Sequence, residues 1–118
     1  METVNLKNII FDSAMIKWCE TNIPNKIDIL RPKRLPSKLQ TVGKLDPDKI
    51  NKIEQAYLNN NEQILPTIDV KRYNPTSKFF IVTNGRHRIV MALKYGKTTI
   101  ESNINVPITT PNKKRKKK

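Results

Sequence analysis

One cysteine, one histidine and ten acidic residues in a chain of 118 remove several classes of protein before any motif is sought. Cys19 alone cannot build an internal disulfide framework, and no cysteine cluster exists to hold zinc, so a reducing intracellular compartment is the expectation. His87 is the sole histidine; a metal site on it would need carboxylates, none cluster near it in the sequence, and no metal is expected. No run approaches the roughly 18 apolar residues of a membrane-spanning helix. The first residues, with Glu2 and Asn5 among scattered apolar ones, lack the basic-then-apolar order of a secretion signal. No membrane partner is expected.

What the chain has in excess is positive charge. Lys and Arg number 23, for a formal +13, which puts polyanions ahead of other partner classes. Lys113, Lys114, Arg115, Lys116, Lys117 and Lys118 carry six of those charges; taking six from +13 leaves +7 on the remainder, which is basic in its own right. The run from Pro111 has the makeup of a nuclear localisation signal or a nucleic-acid-binding tail, pointing to the nucleus in a eukaryotic cell and otherwise to the cytoplasm. The hydrophobic fraction of 36% predicts a modest core, and the length predicts one domain with tails.

The pattern divides the chain into an N-terminal helical arm over 1–22, a domain over 23–106 and a disordered basic tail over 107–118. In the arm, Asp12 or Ser13 could cap a short helix with Met15, Trp18 and Cys19 on one face, which could pack on the core or form a homodimer. Lys26 to Leu30 alternates as a short strand would, and Arg31, Lys33, Arg34 and Lys38 then crowd a loop punctuated by Pro32 and Pro36. Asp46-Pro47-Asp48 is a helix start, with Ile50, Ile53 and Tyr57 forming a stripe that runs to Asn59. Thr67 to Tyr73 and Lys78 to Thr83 read as a hairpin, Arg86 to Tyr95 as a helix stopped by Gly96, and Lys97 to Val106 as a last strand.

Thr83-Asn84-Gly85-Arg86-His87-Arg88 therefore sits where a strand feeds a glycine turn and a helix. Such a corner aims unpaired backbone N–H groups and the positive end of the helix dipole at one spot, where an anion is welcome. Arg offers a planar fork for phosphate, and His a further donor. Two arginines at a helix start are unfavourable with the dipole unless an anion or a carboxylate offsets them.

Pro32 to Pro36, the Asp46-Pro47 helix, Leu65-Pro66-Thr67-Ile68-Asp69-Val70, the hairpin and Asn84-Gly85-Arg86-His87-Arg88-Ile89-Val90-Met91-Ala92-Leu93 occur in an order that resembles the ParB/sulfiredoxin superfamily, over roughly residues 27–106. The resemblance implies a small α+β domain with a mixed sheet and packed helices. It also implies a nucleotide, ATP or CTP with Mg2+ carried by the nucleotide, whose phosphates lie against Gly85, His87 and Arg88, with Arg31, Lys33 and Arg34 approaching from the side. Arg86 stands where sulfiredoxins keep the reactive cysteine, so sulfiredoxin chemistry is not expected. ParB proteins have Gly-Glu-Arg-Arg where this chain has Gly85-Arg86-His87-Arg88, and they carry a helix-turn-helix domain beyond this one, so a complete partition clamp is not expected either. The resemblance leaves a phosphotransferase or hydrolase open. Two other readings stand beside it: a non-catalytic DNA- or RNA-binding protein gripping backbone phosphates, and a ParB-like nuclease.

Overall fold

Apolar residues at both ends of the chain meet in one sheet. The computed structural model describes residues 2–39 and 43–105. In chain order it contains β1 (Glu2–Asn5), β2 (Ile9–Ile10), α1 (Ser13–Asn22), α2 (Pro24–Leu30), α3 (Pro47–Leu58), β3 (Ile68–Arg72), β4 (Phe80–Asn84), α4 (Arg86–Lys94) and β5 (Thr99–Asn105), with short 3-10 turns between. The strands form a mixed five-stranded sheet in the order β1-β5-β3-β4-β2, with β1–β5 and β3–β4 antiparallel and β5–β3 and β4–β2 parallel. This is the small α+β domain expected.

The alternation of the strands gives the sheet one covered and one open face. Ile68 and Val70 of β3, Phe80 of β4 and Ile100 of β5 are buried in a cluster with Ile89, Val90, Met91, Ala92 and Leu93 of α4. Opposite-facing Lys71, Thr83 and Glu101 are exposed.

Two expectations are corrected. Residues 26–30 are helical: Pro24 occupies the first position of α2, where its fixed φ suits a helix, and Ile23 C=O accepts from Ile27 N at 3.2 Å. Ile27 is buried and Leu30 packs on the core, while Ile29 is 84% exposed, so the apolar period is three rather than two. Arg31, with φ of 48°, ends the helix in the left-handed region.

The segment 1–22 is also no separate arm. β1 pairs with β5, β2 with β4, and Leu6, Ile9, Phe11, Met15 and Cys19 are buried in the same core as α4. Its helix is capped by Asp12, whose Oδ1 accepts from Met15 N at 2.9 Å. The face carrying Met15 and Cys19 is occupied within the chain and is not available to a second copy. The tail, 107–118, lies outside the described residues.

α3 forms as its start signals dictate, with Asp46 Oδ1 accepting from Asp48 N at 2.9 Å and Pro47 at the first position. It is bolted to α4. Tyr57 stacks on Tyr95 with ring centroids 5.5 Å apart, and Glu54 accepts from Lys94 and from the Tyr95 hydroxyl. Lys94, and after it Tyr95, holds the Glu54 carboxyl below the ordinary carboxylate range. These contacts set the first turn of α3 beside the start of α4.

Candidate functional site

At the end of β4 the chain turns through Gly85, whose φ is 108°, and enters α4. Gly85 C=O accepts from Arg88 N at 3.0 Å and from Ile89 N at 3.2 Å. The helix has no side-chain cap and no acidic residue in its first turn. Among the described residues nothing accepts from the amides of Arg86 and His87. Two donors at the positive end of α4 are thus left without an acceptor among the described residues.

The three side chains that follow do different work. Arg86 is turned inward: Nη1 lies 3.1 Å from Asp12 Oδ2, and Nη2 donates to the carbonyls of Gly43 at 2.6 Å and Lys44 at 3.2 Å. The carboxylate that offsets its charge at the helix start is the cap of α1. Arg88 Nη1 donates to Pro66 C=O at 2.8 Å, while its buried Nε has no partner among the described residues.

His87 accepts rather than donates at Nε2, taking the Asp46 amide proton at 2.8 Å. The bond requires a neutral ring with its proton on Nδ1. Burial first, then the Arg86 and Lys49 charges, holds the ring's pKa below its ordinary 6.5. A histidine with a depressed folded value contributes stability that is complete above 6.5 and declines as pH falls toward the folded value, because the open state binds the proton first. Protection of the Asp46 amide against hydrogen exchange, corrected for intrinsic rate, is therefore expected to fall between pH 7.5 and pH 5.5. Protection independent of pH in that window would contradict the latch.

Two clefts flank the corner and share Lys49, Asn84, Gly85 and His87. The first, of about 300 Å³, adds Lys52, Ile53, Leu65, Pro66, Thr67 and Arg88. Its lining holds three permanent cations, Lys49, Lys52 and Arg88, and no carboxylate, with Ile53, Leu65 and Pro66 as an apolar wall. The second, of about 310 Å³, is lined by Leu35, Leu39, Ile81, Thr83 and the Asp12–Arg86 pair.

The structure thus gathers Asn84, Gly85, His87 and Arg88 at one cleft, with Thr83 and Arg86 on the other side. It does not bring Arg31, Lys33 or Arg34 there. Arg31 and Arg34 border a separate depression with Glu20 and Asp28, where Arg34 pairs with Glu20 at 3.7 Å, and Lys33 Nζ lies over the Phe79 ring at 5.4 Å. Lys113 to Lys118 lie outside the described residues. Asp69 accepts from Asn103 at 3.2 Å and Glu101 from Thr3, and neither carboxylate lines either of these two clefts. Among the described residues no three His, Cys, Asp or Glu side chains converge as a metal site. Cys19 is buried, and burial pushes its thiol up to about 12, the opposite of a reactive thiolate.

Lys49 and Lys52 escaped the reading of the sequence. Their signal is faint: two lysines three apart, one turn into a well-capped helix and beside Ile53 of its apolar stripe. They reach the corner only because α3 packs on α4, a contact between residues some forty positions apart. No protein-family model and no curated protein sequence matches the chain, so the corner is read from its own geometry.

Proposed function

We propose that the chain binds the phosphates of a nucleotide at the corner of β4 and α4, as a domain of ParB/sulfiredoxin type. The observation that carries the reading is the first cleft: the Gly85–His87 turn at the start of α4, three cations, no carboxylate, and an apolar wall in about 300 Å³. The phosphates of ATP or CTP, with Mg2+ brought by the nucleotide, meet the Gly85–His87 backbone, Lys49, Lys52 and the Arg88 guanidinium. The sugar and base lie against Ile53, Leu65 and Pro66. Turnover has no assigned residue, since the cleft lining has no carboxylate and the Nε2 lone pair of His87 is taken by the Asp46 amide.

Lys49 and Lys52 are exposed and outside any ion pair among the described residues, so changing them spares the core. Calorimetric titration of the full chain with ATP, CTP and GTP in moderate salt is expected to give saturable binding of one nucleotide. Lys49→Glu with Lys52→Glu should weaken it by about 10- to 100-fold, as expected when charge-assisted contacts to phosphate are reversed. Unaltered affinity in the double variant would show that the nucleotide does not bind in this cleft.

The net charge of +13 favours a second reading, association with nucleic acid through backbone phosphates. Such binding weakens steeply with salt, whereas nucleotide binding in the cleft weakens less.

A further inference from the structure

From Lys71 to Ile100 the chain has no Asp or Glu and seven Lys and Arg. Part of that stretch forms the open face of the β3–β4 hairpin. Lys71 pairs with Ile81 across the two strands, and Tyr73 N donates to Phe79 C=O at 2.9 Å, so Lys71, Tyr73, Phe79 and Ile81 share the face turned away from the core. Tyr73 is 36% exposed and Phe79 is half-buried. Lys33 Nζ and Lys78 Nζ lie 5.4 Å and 5.5 Å from the Phe79 ring centre. The face continues without a break into the second cleft, which Ile81 and Thr83 line and which opens on Asn84, Gly85, His87 and Lys49. Five residues of strand separate Phe79 from the corner, about 16 Å of track.

Aromatic rings on an open sheet, flanked by lysines, match a polyanion that carries flat apolar groups; the carboxylates on that side are engaged, Asp69 by Asn103, Glu101 by Thr3 and Asp12 of the second cleft by Arg86. We propose that this surface is a track for single-stranded nucleic acid, with bases on Tyr73 and Phe79, phosphates on Lys33, Lys71 and Lys78, and the strand running through the second cleft to the corner. The class of partner rests on the second reading above; the surface goes beyond it. A base stacking on Phe79 displaces a lysine from the ring, and the freed ammonium meets the adjacent phosphate. Duplex DNA keeps its bases inside the stack and presents only phosphate to these rings.

The test is fluorescence anisotropy of the full chain with short labelled thymidine and uridine strands and with a duplex of equal length, beside Tyr73→Ala and Lys71→Ala with Lys78→Ala. All three side chains are exposed, and melting curves of the variants should match the parent. Tyr73→Ala is expected to weaken single-strand binding about tenfold and to leave duplex binding unchanged. The lysine variant should weaken both and flatten the salt dependence. Light-induced crosslinks from 5-iodouridine should map to residues 71–81. Single-strand binding indifferent to Tyr73, crosslinks confined to 113–118, or equal competition by polyglutamate or anionic vesicles would each overturn the track. ATP titration of Tyr73→Ala, expected to be unchanged, separates failure here from failure of the corner.

Discussion

Gly85→Ala is expected to lower the melting temperature of the chain by about 10 °C or more, the largest loss from any single methyl group in the fold. Two costs coincide. A φ of 108° is a conformation that residues with a Cβ rarely adopt, and the Cβ itself would lie 2.5 Å from Ile68 Cγ2 and 2.8 Å from Ile68 Cβ. Ile68 is 1% exposed on the central strand β3 and has nowhere to move. Strain of about 1 to 2 kcal/mol from the backbone and about 1 to 3 kcal/mol from overpacking translate to that shift at about 4 to 8 °C per kcal/mol in a small domain. Gly96→Ala, with φ of 78° but nothing within 4 Å, should cost only the backbone part, and Gly43→Ala, with open space and no such φ, close to nothing. Thermal unfolding of the three variants checks the ranking; a Gly85→Ala protein that melts with Gly43→Ala would contradict the corner geometry.

Arg86→Ala comes next, at about 3 kcal/mol of stability, the range for stripping one partner from a buried ion pair. The pair is well covered, with side chains 17% and 9% exposed, and Asp12 is needed where it is because it caps α1. Removing the guanidinium leaves that carboxylate uncompensated and also frees the carbonyls of Gly43 and Lys44. Asp12→Asn in the same background should recover part of the loss, since an amide oxygen still accepts from Met15 N and no charge remains to be buried. Denaturant unfolding of the two single variants and the double measures the coupling. Because the Arg86 guanidinium is engaged inside the fold, the folded variant should still bind nucleotide. Parent-like stability together with complete loss of nucleotide binding would instead make Arg86 a phosphate ligand.

The legible parts of this fold were those whose signals are local. Asp46-Pro47 capped its helix, the alternation of Ile68 and Val70 marked a strand with one covered face, and Asn84-Gly85 turned the chain into a helix that Gly96 ends at φ of 78°. Lys26 to Leu30 misled because in five residues a period of two and a short helical stripe overlap, and the deciding fact was Pro24 as a first helical residue. The N-terminal residues misled because their pairing partners lie about a hundred positions away: Val4 opposite Ile100, and Thr3 opposite Glu101. At the corner, the turn itself was readable, but the division of labour among its side chains was not. Arg86 reads as a phosphate fork until Asp12 is found behind it, and His87 as a donor until its Nε2 is found accepting from Asp46. Both outcomes depend on which distant elements pack against α4.

The proposed seat of the phosphate is the backbone at the start of α4. The most direct measurement follows the backbone amides of the isotope-labelled full chain by NMR during titration with ATP, and separately with inorganic pyrophosphate. Saturable shifts are expected at Gly85, Arg86 and His87 with both ligands, and at Ile53 and Leu65 with ATP alone. Shifts confined to residues 113–118, or none at residues 85–87 while the chain still binds ATP, would contradict it.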